Sequence, residues 1–600
     1  MIQFAFIIYI FCISGFFAKT FLSSNFFVGS LFLPMIIGLI LALFAELQLL
    51  QLGVYLSYGL IAIVTFLFLR SFVKNEVILG LGDSSFLLFV VLSVIIYFIC
   101  KNNTPVTSEE LTNWGLIPRA LHFKYFLNFD KGFLINASNY AKTPLSFYLF
   151  LCTVISSTYS HASVYVGYYV LCLAISLSMV VSETKRNKKI FFTKIVIGFV
   201  FLLSFYYPNG GTEFRILMDI DFNFMKALMF GFLFNLVLKK ELRKVDIFSL
   251  SLSLLWFCLL DIQSYFMSVF VILTYVYRRS YTKEIEVESK YANFIFLAVM
   301  ILGIITNISE FQIILDNIPQ YFNILEIIFG TPFLIANIIP LGIYLFIFFP
   351  VFVFSMIKGL VNNAYHKRVL LFQIACFFVY CCLLNAFVDG KYVSESYTLQ
   401  RQINAYVAGI LISWIPFITL ETKEARAKDM LFQLQNICLM ILVIVTIMCS
   451  EYDVIRQKFF NWEHYSNTVY SVDYNIHKED AEYHIEKIAS TLEIEEPVNL
   501  YFSMGGCDFS MSYMHELVQY RLLEHQIHVV NNPMTLDCIS VEQAIIELEK
   551  AEFLYLAYPV SEEFNEELNL FYNIDIMIEA EKVYQLIREE NQVKFVDVSE

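Results

Sequence analysis

The sequence predicts a polytopic α-helical membrane protein of about 14 crossings with a C-terminal extracytoplasmic α/β domain, on three observations. Hydrophobic residues make up 58% of the chain against 16% charged, and mean hydropathy is +0.65, which excludes an ordinary soluble globular protein. Apolar runs of crossing length recur throughout residues 1–450. The charge is divided: residues 451–600 hold 30 Asp and Glu against 9 Lys and Arg, leaving 31 basic against 24 acidic residues in 1–450. Such an acidic tail reads as a separate soluble domain, and its charge argues against nucleic acid or an anionic membrane surface as its partner.

Runs able to cross, on the order of 17 to 25 residues each, fall near 1–18, 27–46, 51–69, 76–99, 162–182, 190–207, 222–238, 292–310, 332–357, 369–388, 403–420 and 431–450. Two shorter runs, 246–260 and 264–277, read as a tight hairpin. The first run, Ile2 to Phe17, lacks a basic leader and a small-residue cleavage site and so reads as a retained helix. Short cytoplasmic loops collect Lys and Arg. Arg70/Lys74, Lys185-Arg186, Lys188-Lys189, Lys239-Lys240, Arg278-Arg279, Lys367-Arg368 and Arg426/Lys428 can all lie inside at once, provided that 144–158 does not cross. That run begins at Pro144 and ends in a Ser-rich stretch, as a re-entrant or half-membrane helix would. Segments 101–143, 207–221, 311–331 and 388–402 then face the exterior, together with both termini.

In the tail, helical spacing over Lys478 to Leu492 precedes a strand-like Val498 to Ser503, Gly505-Gly506 and a helical Ser512 to Glu524. Ile527 to Val530, a helical Val541 to Ala551, Phe553 to Tyr558 and a closing hairpin of Val583–Ile587 against Val593–Asp597 follow. This alternation predicts a small α/β domain with a parallel core sheet. Gly505-Gly506 is read as a plain turn, because the glycine fingerprint of a phosphate loop is absent. The 12 cysteines are scattered, with no zinc spacing and no disulfide framework.

The residues that could carry chemistry lie in the exterior segments. Glu109-Glu110 sits in a polar stretch, Thr107 to Arg119, flanked by oily runs. A carboxylate there, its pKa raised by burial and by its acidic neighbour, suits removal of a proton from an acceptor hydroxyl. Alternatively the two acids occupy the first turn of a helix capped by Thr107 or Ser108, and both readings can hold together. Asp219 and Asp221 stand at the entry to the 222–238 helix, where they either cap it above a snorkelling Lys226 or add a second acid that positions the acceptor. With Glu109 they could also hold a divalent cation through oxygen ligands. Arg401, among Tyr397 and Tyr406, offers a fork-shaped guanidinium suited to a lipid-linked phosphate, a task Arg119 or Lys142 could share; interfacial anchoring is the alternative. Trp114 and Tyr140 complete the candidate substrate contacts. Asp261, at the tip of the short hairpin, reads as a helix cap, and His122 and His161 as structural.

Two stretches, Ser108-Glu109-Glu110-Leu111-Thr112-Asn113-Trp114-Gly115 in a large loop and Tyr140-Ala141-Lys142-Thr143-Pro144-Leu145 entering the next apolar run, resemble the GT-C superfamily of membrane glycosyltransferases that use polyprenyl-phosphate sugars. Protein O-mannosyltransferases and aminoarabinose transferases belong to it. An acid before a helix, Asp219 or Asp221, and the late loop Arg401 to Tyr406 fit the same pattern. The acids here follow the fourth apolar run instead of the first, they are Glu-Glu, and the second Pro of the entry motif is missing.

The resemblance implies transfer of a sugar, with inversion, from a polyprenyl-phosphate donor to a cell-envelope glycan, lipid or protein acceptor. Glu109 or Glu110 would act as base, Arg401 with Arg119 or Lys142 would meet the phosphate, and no cofactor would be required. Two other classes fit a polytopic chain: an O-antigen-type polymerase or ligase, and a lipid-linked glycan transporter or flippase, which needs a polar path through the bilayer.

Overall fold

The computed structural model describes residues 2–73, 84–101, 103, 105, 111, 115–127, 143–180, 222–238, 242–279, 286–308, 311–312, 372–373, 375–376, 379–380, 383, 406, 409–410, 472–492, 497–504, 512–531, 545–546, 548–560, 562–572, 577–589 and 592–599. These residues are mostly helical, with a small sheet in the C-terminal region. The chain divides into two compact units. The first comprises Met1–Asn102, Lys142–Tyr148 and Tyr165–Arg456, the second Asn103–Ala141, Leu149–Val164 and Gln457–Glu600.

The N-terminal region folds as α1 (Ile2–Phe21), α2 (Phe26–Ser30), α3 (Phe32–Glu46), α4 (Leu50–Val73) and α5 (Ser84–Cys100). Asn25 caps α2 by accepting the Phe27 N–H at 3.0 Å, and Leu31 joins α2 to α3 without leaving the helical region of backbone space. Among the described residues four helical segments are long and apolar enough to cross a membrane: Ile2–Phe21, Phe26–Glu46, Leu50–Ser71 and His161–Met179. Their hydroxyls are satisfied internally, as an apolar solvent demands: Ser57 donates to Gly53 O at 2.8 Å, Thr65 to Ile61 O at 2.7 Å and Ser176 to Cys172 O at 2.8 Å. Large apolar side chains on α4, including Leu52, Tyr55, Phe66 and Leu69, face outward, the arrangement suited to contact with lipid.

Past the second unit's first segment, α6 (Leu116–Leu127), come α7 (Pro144–Leu151) and α8 (His161–Val180). Helix α7 has 8 residues, about 12 Å at 1.5 Å per residue, far short of a bilayer's hydrocarbon core of roughly 30 Å. Gly38 on α3 permits close packing here, since a Cβ on it would meet Pro144 O at 2.6 Å. The first unit continues with α9 (Phe222–Leu238), buried along its whole length, the hairpin α10 (Lys244–Cys258) and α11 (Ile262–Arg279), and α12 (Glu286–Thr306). The expected crossings at 190–207, 332–357, 403–420 and 431–450 fall wholly or almost wholly outside the described residues, so the count of 14 remains a sequence expectation.

The second unit is built on a five-stranded sheet with α13 (Val472–Thr491), α14 (Ser512–Leu522) and α15 (Glu562–Tyr572). The strands are β1 (Val498–Ser503), β2 (Ile527–Val529), β3 (Phe553–Leu556), β4 (Val583–Glu589) and β5 (Gln592–Asp597), in spatial order β2-β1-β3-β4-β5. The central β1 runs parallel to both neighbours, with Val498 opposite Ile527 and Leu500 opposite Phe553, while β4 is antiparallel to β3 and forms a hairpin with β5. The expected parallel core with a terminal hairpin is therefore what forms. The alternation of a strand divides β1 between two cores. Leu500 and Phe502 join Ile485, Ile488, Leu517 and Val518 on one face, and Tyr501 joins Leu548, Leu554 and Leu568 on the other. Beyond the end of β2, the Asn531 side chain continues the ladder, accepting the Phe502 N–H at 2.9 Å and donating to Phe502 O at 2.7 Å.

Segment 101–143, expected as a polar loop, carries a packed helix. Leu111, Leu116 and Ala120 belong to the buried core formed with β1, α13 and α14, and Phe123 packs against it. Leu116, Ala120 and Phe123 recur at helical spacing and make one apolar stripe, a signal masked in the sequence by the polar residues around it.

Candidate functional site

Two clusters of described side chains, one in each unit, bear on the residues singled out in the sequence. In the first unit, Lys226 lies one turn inside α9 and is only 1% exposed. An ammonium in such surroundings costs several kcal/mol unless it is paired and hydrogen-bonded. Its Nζ donates to Asp261 Oδ2 at 2.8 Å and to Gln263 Oε1 at 2.6 Å, and lies 4.7 Å from the centre of the Phe222 ring. Asp261 also caps α11 as expected, its Oδ1 accepting the Ser264 N–H at 2.7 Å. The same carboxylate therefore begins one helix and pairs with a lysine of another. Lys226 does not snorkel to an interface; it reaches across to the hairpin tip.

One turn further along α9, Phe230 meets Tyr406, with ring centres 4.8 Å apart. Tyr406 stacks on Tyr380 at 4.5 Å with an interplanar angle of 23°, and Phe270 of α11 closes the cluster at 6.1 Å. A Cβ on Gly409 would lie 2.6 Å from Phe230 Cδ1, so glycine is what admits this segment against α9. The fully buried Tyr406 is a packing residue here, and not the interfacial anchor or open substrate contact that the sequence allowed. The structure thus brings the end of the Arg401 to Tyr406 segment against the helix that directly follows Asp219 and Asp221 in the chain.

The second unit holds the Arg119 cluster. Arg119, on α6, has no exposed side-chain surface. Its Nη2 donates to Glu524 Oε1, and its guanidinium carbon lies 4.2 Å from the centre of the Tyr520 ring, 5.5 Å from Tyr159 and 5.9 Å from Phe123. Nε and Nη1 have no hydrogen-bond acceptor among the described residues. Burial acts to lower the Arg119 pKa, but Tyr520, Glu524 and Tyr159 outweigh it and hold the group above its ordinary value, firmly charged. Tyr520 Oη is 2.5 Å from His161 Nδ1, and the Tyr159 hydroxyl donates to Gly115 O at 3.4 Å, just ahead of α6. Burial pushes the Tyr159 pKa well above the usual phenol range, so it stays a neutral donor.

His122, on the same helix, is buried, with Nδ1 3.1 Å from Thr153 Oγ1 and Nε2 donating to Ser157 O at 3.1 Å. Burial lowers its pKa; the Ser157 bond opposes this and the Arg119 charge adds to it, leaving a neutral structural imidazole as the sequence suggested. Arg119 is a correction to the expected phosphate contact. Its charge is directed at Glu524 and three aromatic rings, an internal arrangement that leaves no face of the guanidinium open to solvent.

Glu109, Glu110, Trp114, Tyr140, Lys142, Asp219, Asp221 and Arg401 lie outside the described residues. Among the described residues no three His, Cys, Asp or Glu side chains come together as a metal site. The sequence reading missed Glu524 and Tyr520, which carry no local signature in the tail; they stand about 400 residues from their partner on α6. It had a signal for Lys226, a lysine inside an apolar helix, but not for its partner. Comparison with protein-family models, curated proteins and solved structures finds no match to this chain.

Proposed function

We propose that the chain is an integral membrane glycosyltransferase that moves a sugar from a polyprenyl-phosphate donor to an extracytoplasmic cell-envelope acceptor. The observation that carries the reading is the burial of Leu111, the residue that follows Glu109-Glu110 in the chain, in the core of the second unit. A carboxylate attached to a packed framework can be held in place as a base, where one on a free loop could not. The GT-C-like stretches Ser108 to Gly115 and Tyr140 to Leu145 supply the reaction class.

In this reading Glu109 or Glu110 takes the proton of the acceptor hydroxyl as its oxygen bonds to the anomeric carbon. The bond from that carbon to the lipid phosphate breaks on the opposite face, and configuration inverts. Arg401 and Lys142 meet the charge growing on the phosphate, where preorganised cations contribute most. Arg119, enclosed by Glu524 and aromatic rings, drops out of that role. Asp219 and Asp221 position the acceptor or, with Glu109, hold a divalent cation. A transporter of lipid-linked glycan is the second reading, favoured by the Lys226–Asp261 pair inside an apolar bundle.

The test is transfer from labelled polyprenyl-phosphate sugar with Glu109→Gln, Glu110→Gln and Arg401→Ala, each checked for normal insertion. One of the two Gln variants should lose about 10²- to 10⁴-fold in turnover. Full activity in both removes the base assignment.

A further inference from the structure

We propose that Lys226, Gln263, Ser264 and the N-terminus of α11 form a binding site for a phosphate monoester carried on a lipid, and that Asp261 fills this site as an internal anion until the phosphate displaces it. The inference rests on the lipid-linked substrate that both the transferase and the transporter readings invoke; the site itself is argued from the first unit alone.

The donors are the first argument. Lys226 brings a full positive charge to the tip of the α10–α11 hairpin, 2.8 Å from Asp261 Oδ2 and 2.6 Å from Gln263 Oε1. The same spot is the N-terminal end of an 18-residue helix, where backbone N–H groups and the helix dipole favour an anion. The Asp261 carboxylate uses both its oxygens here, Oδ2 on Lys226 and Oδ1 on the Ser264 N–H at 2.7 Å. Ser264 nevertheless keeps a donor in reserve: it has no exposed surface, and its Oγ has no hydrogen-bond partner among the described residues. The Gln263 amide carries two N–H donors of its own. A phosphate monoester presents three acceptor oxygens, so it can take a donor that the carboxylate leaves unused.

Depth is the second argument. Helix α9 is followed by Lys239-Lys240, and α11 ends in Arg278-Arg279. At 1.5 Å per residue the two helices are about 26 Å and 27 Å long, and the Lys226–Asp261 pair lies at the other end of both, about 6 Å inside the start of α9. Basic residues gather at one interface. The pair then sits just within the opposite one, near the depth of a lipid's phosphate and away from the middle of the hydrocarbon. The third argument is access. Lys226 is 1% exposed and the Asp261 side chain 9%, so the carboxylate is the part of the pair that reaches the surface. As it turns outward at the hairpin tip, the arriving phosphate exchanges one anion for another and the buried ammonium stays paired.

Equilibrium binding of labelled decaprenyl phosphate to the full-length protein in detergent tests this, with decaprenol and inorganic phosphate as comparison probes. Asp261→Asn keeps the helix cap and removes the competing anion. It should bind decaprenyl phosphate about tenfold or more tighter than the wild type, with no change for decaprenol. Ser264→Ala should weaken binding several-fold. The double variant Lys226→Met with Asp261→Asn carries neither charge and should lose the tightening, with an unfolding midpoint near that of the wild type as the check on folding. Unchanged affinity in Asp261→Asn overturns the site. Tightening that survives in the double variant overturns the role of Lys226, and tightening toward inorganic phosphate alone overturns the lipid as the source. If decaprenyl phosphate binds as expected but the wild-type protein transfers no sugar, the site stands and the glycosyltransferase reading fails.

Discussion

Replacing Asp261 by Asn tests the buried charge arrangement of the first unit without disturbing its helix, because Asn caps a helix as well as Asp. The substitution leaves Lys226, 1% exposed, without the carboxylate it now faces at 2.8 Å. Breaking a buried ion pair by removing one partner costs about 3–5 kcal/mol. Gln263 at 2.6 Å and the Phe222 face at 4.7 Å remain and offset part of that, on the order of 1 kcal/mol each. The expected loss is therefore about 2 kcal/mol. Lys226→Met removes the other charge, and the double variant replaces the pair by neutral groups of similar size, an exchange that is often neutral or stabilising. A double-mutant cycle, read by reversible unfolding in mixed micelles, should show the double variant recovering most of the Asp261→Asn loss, with a coupling of about 2 kcal/mol. If the single effects add within about 0.5 kcal/mol, Lys226 and Asp261 do not act as a pair and the packing of α9 against the hairpin has another basis.

Other consequences can be checked separately. Leu111→Ala, at a fully buried position, should destabilise the second unit by roughly 2–4 kcal/mol, seen as faster hydrogen exchange in β1 and β3; a change confined to the loop would show that Leu111 is not part of that core. His515 is fully buried, and burial lowers its pKa to about 4 from an ordinary 6.5. The unfolded chain therefore binds the proton first, so its contribution is complete above about pH 6.5 and is lost as pH falls from there toward 4, by roughly 3 kcal/mol in all. His515→Phe should flatten the acid side of the stability curve over that window, and an unaltered slope would refute the assignment. In a cysteine-free background, single cysteines replacing Phe126 and Glu479 should react with an impermeant reagent from the same side, the exterior, and one replacing Lys188 from the other. Reaction of the first two from opposite sides would contradict the shared core.

The fold was legible where one physical signal dominates. The apolar runs at 1–18, 27–46 and 162–182 reappear as α1, as α2 with α3, and as α8, because crossing length and hydropathy are local properties of sequence. The α/β tail was legible for the same reason: strand-like Val498 to Ser503 and helical Ser512 to Glu524 become β1 and α14. The role of Asp261 as a cap could also be read, since a cap is a local feature.

What escaped the sequence is what depends on distant partners. The polar character of 101–143 hid a helix whose apolar stripe is short, and its partners in α13, α14 and β1 lie more than 350 residues away. Arg119 looked like a free cation at a membrane surface because nothing within ten residues reveals Glu524 or Tyr520. Tyr406 looked interfacial because its position near Arg401 said nothing of Phe230 and Tyr380.

The most direct test of the account is transfer of labelled sugar from a polyprenyl-phosphate donor by purified wild-type protein beside Glu109→Gln and Glu110→Gln, with insertion verified for each. The account predicts transfer by the wild type with inverted anomeric configuration and loss of about 10²-fold or more in one of the two variants. Undiminished transfer in both variants, or a product of retained configuration, would contradict it.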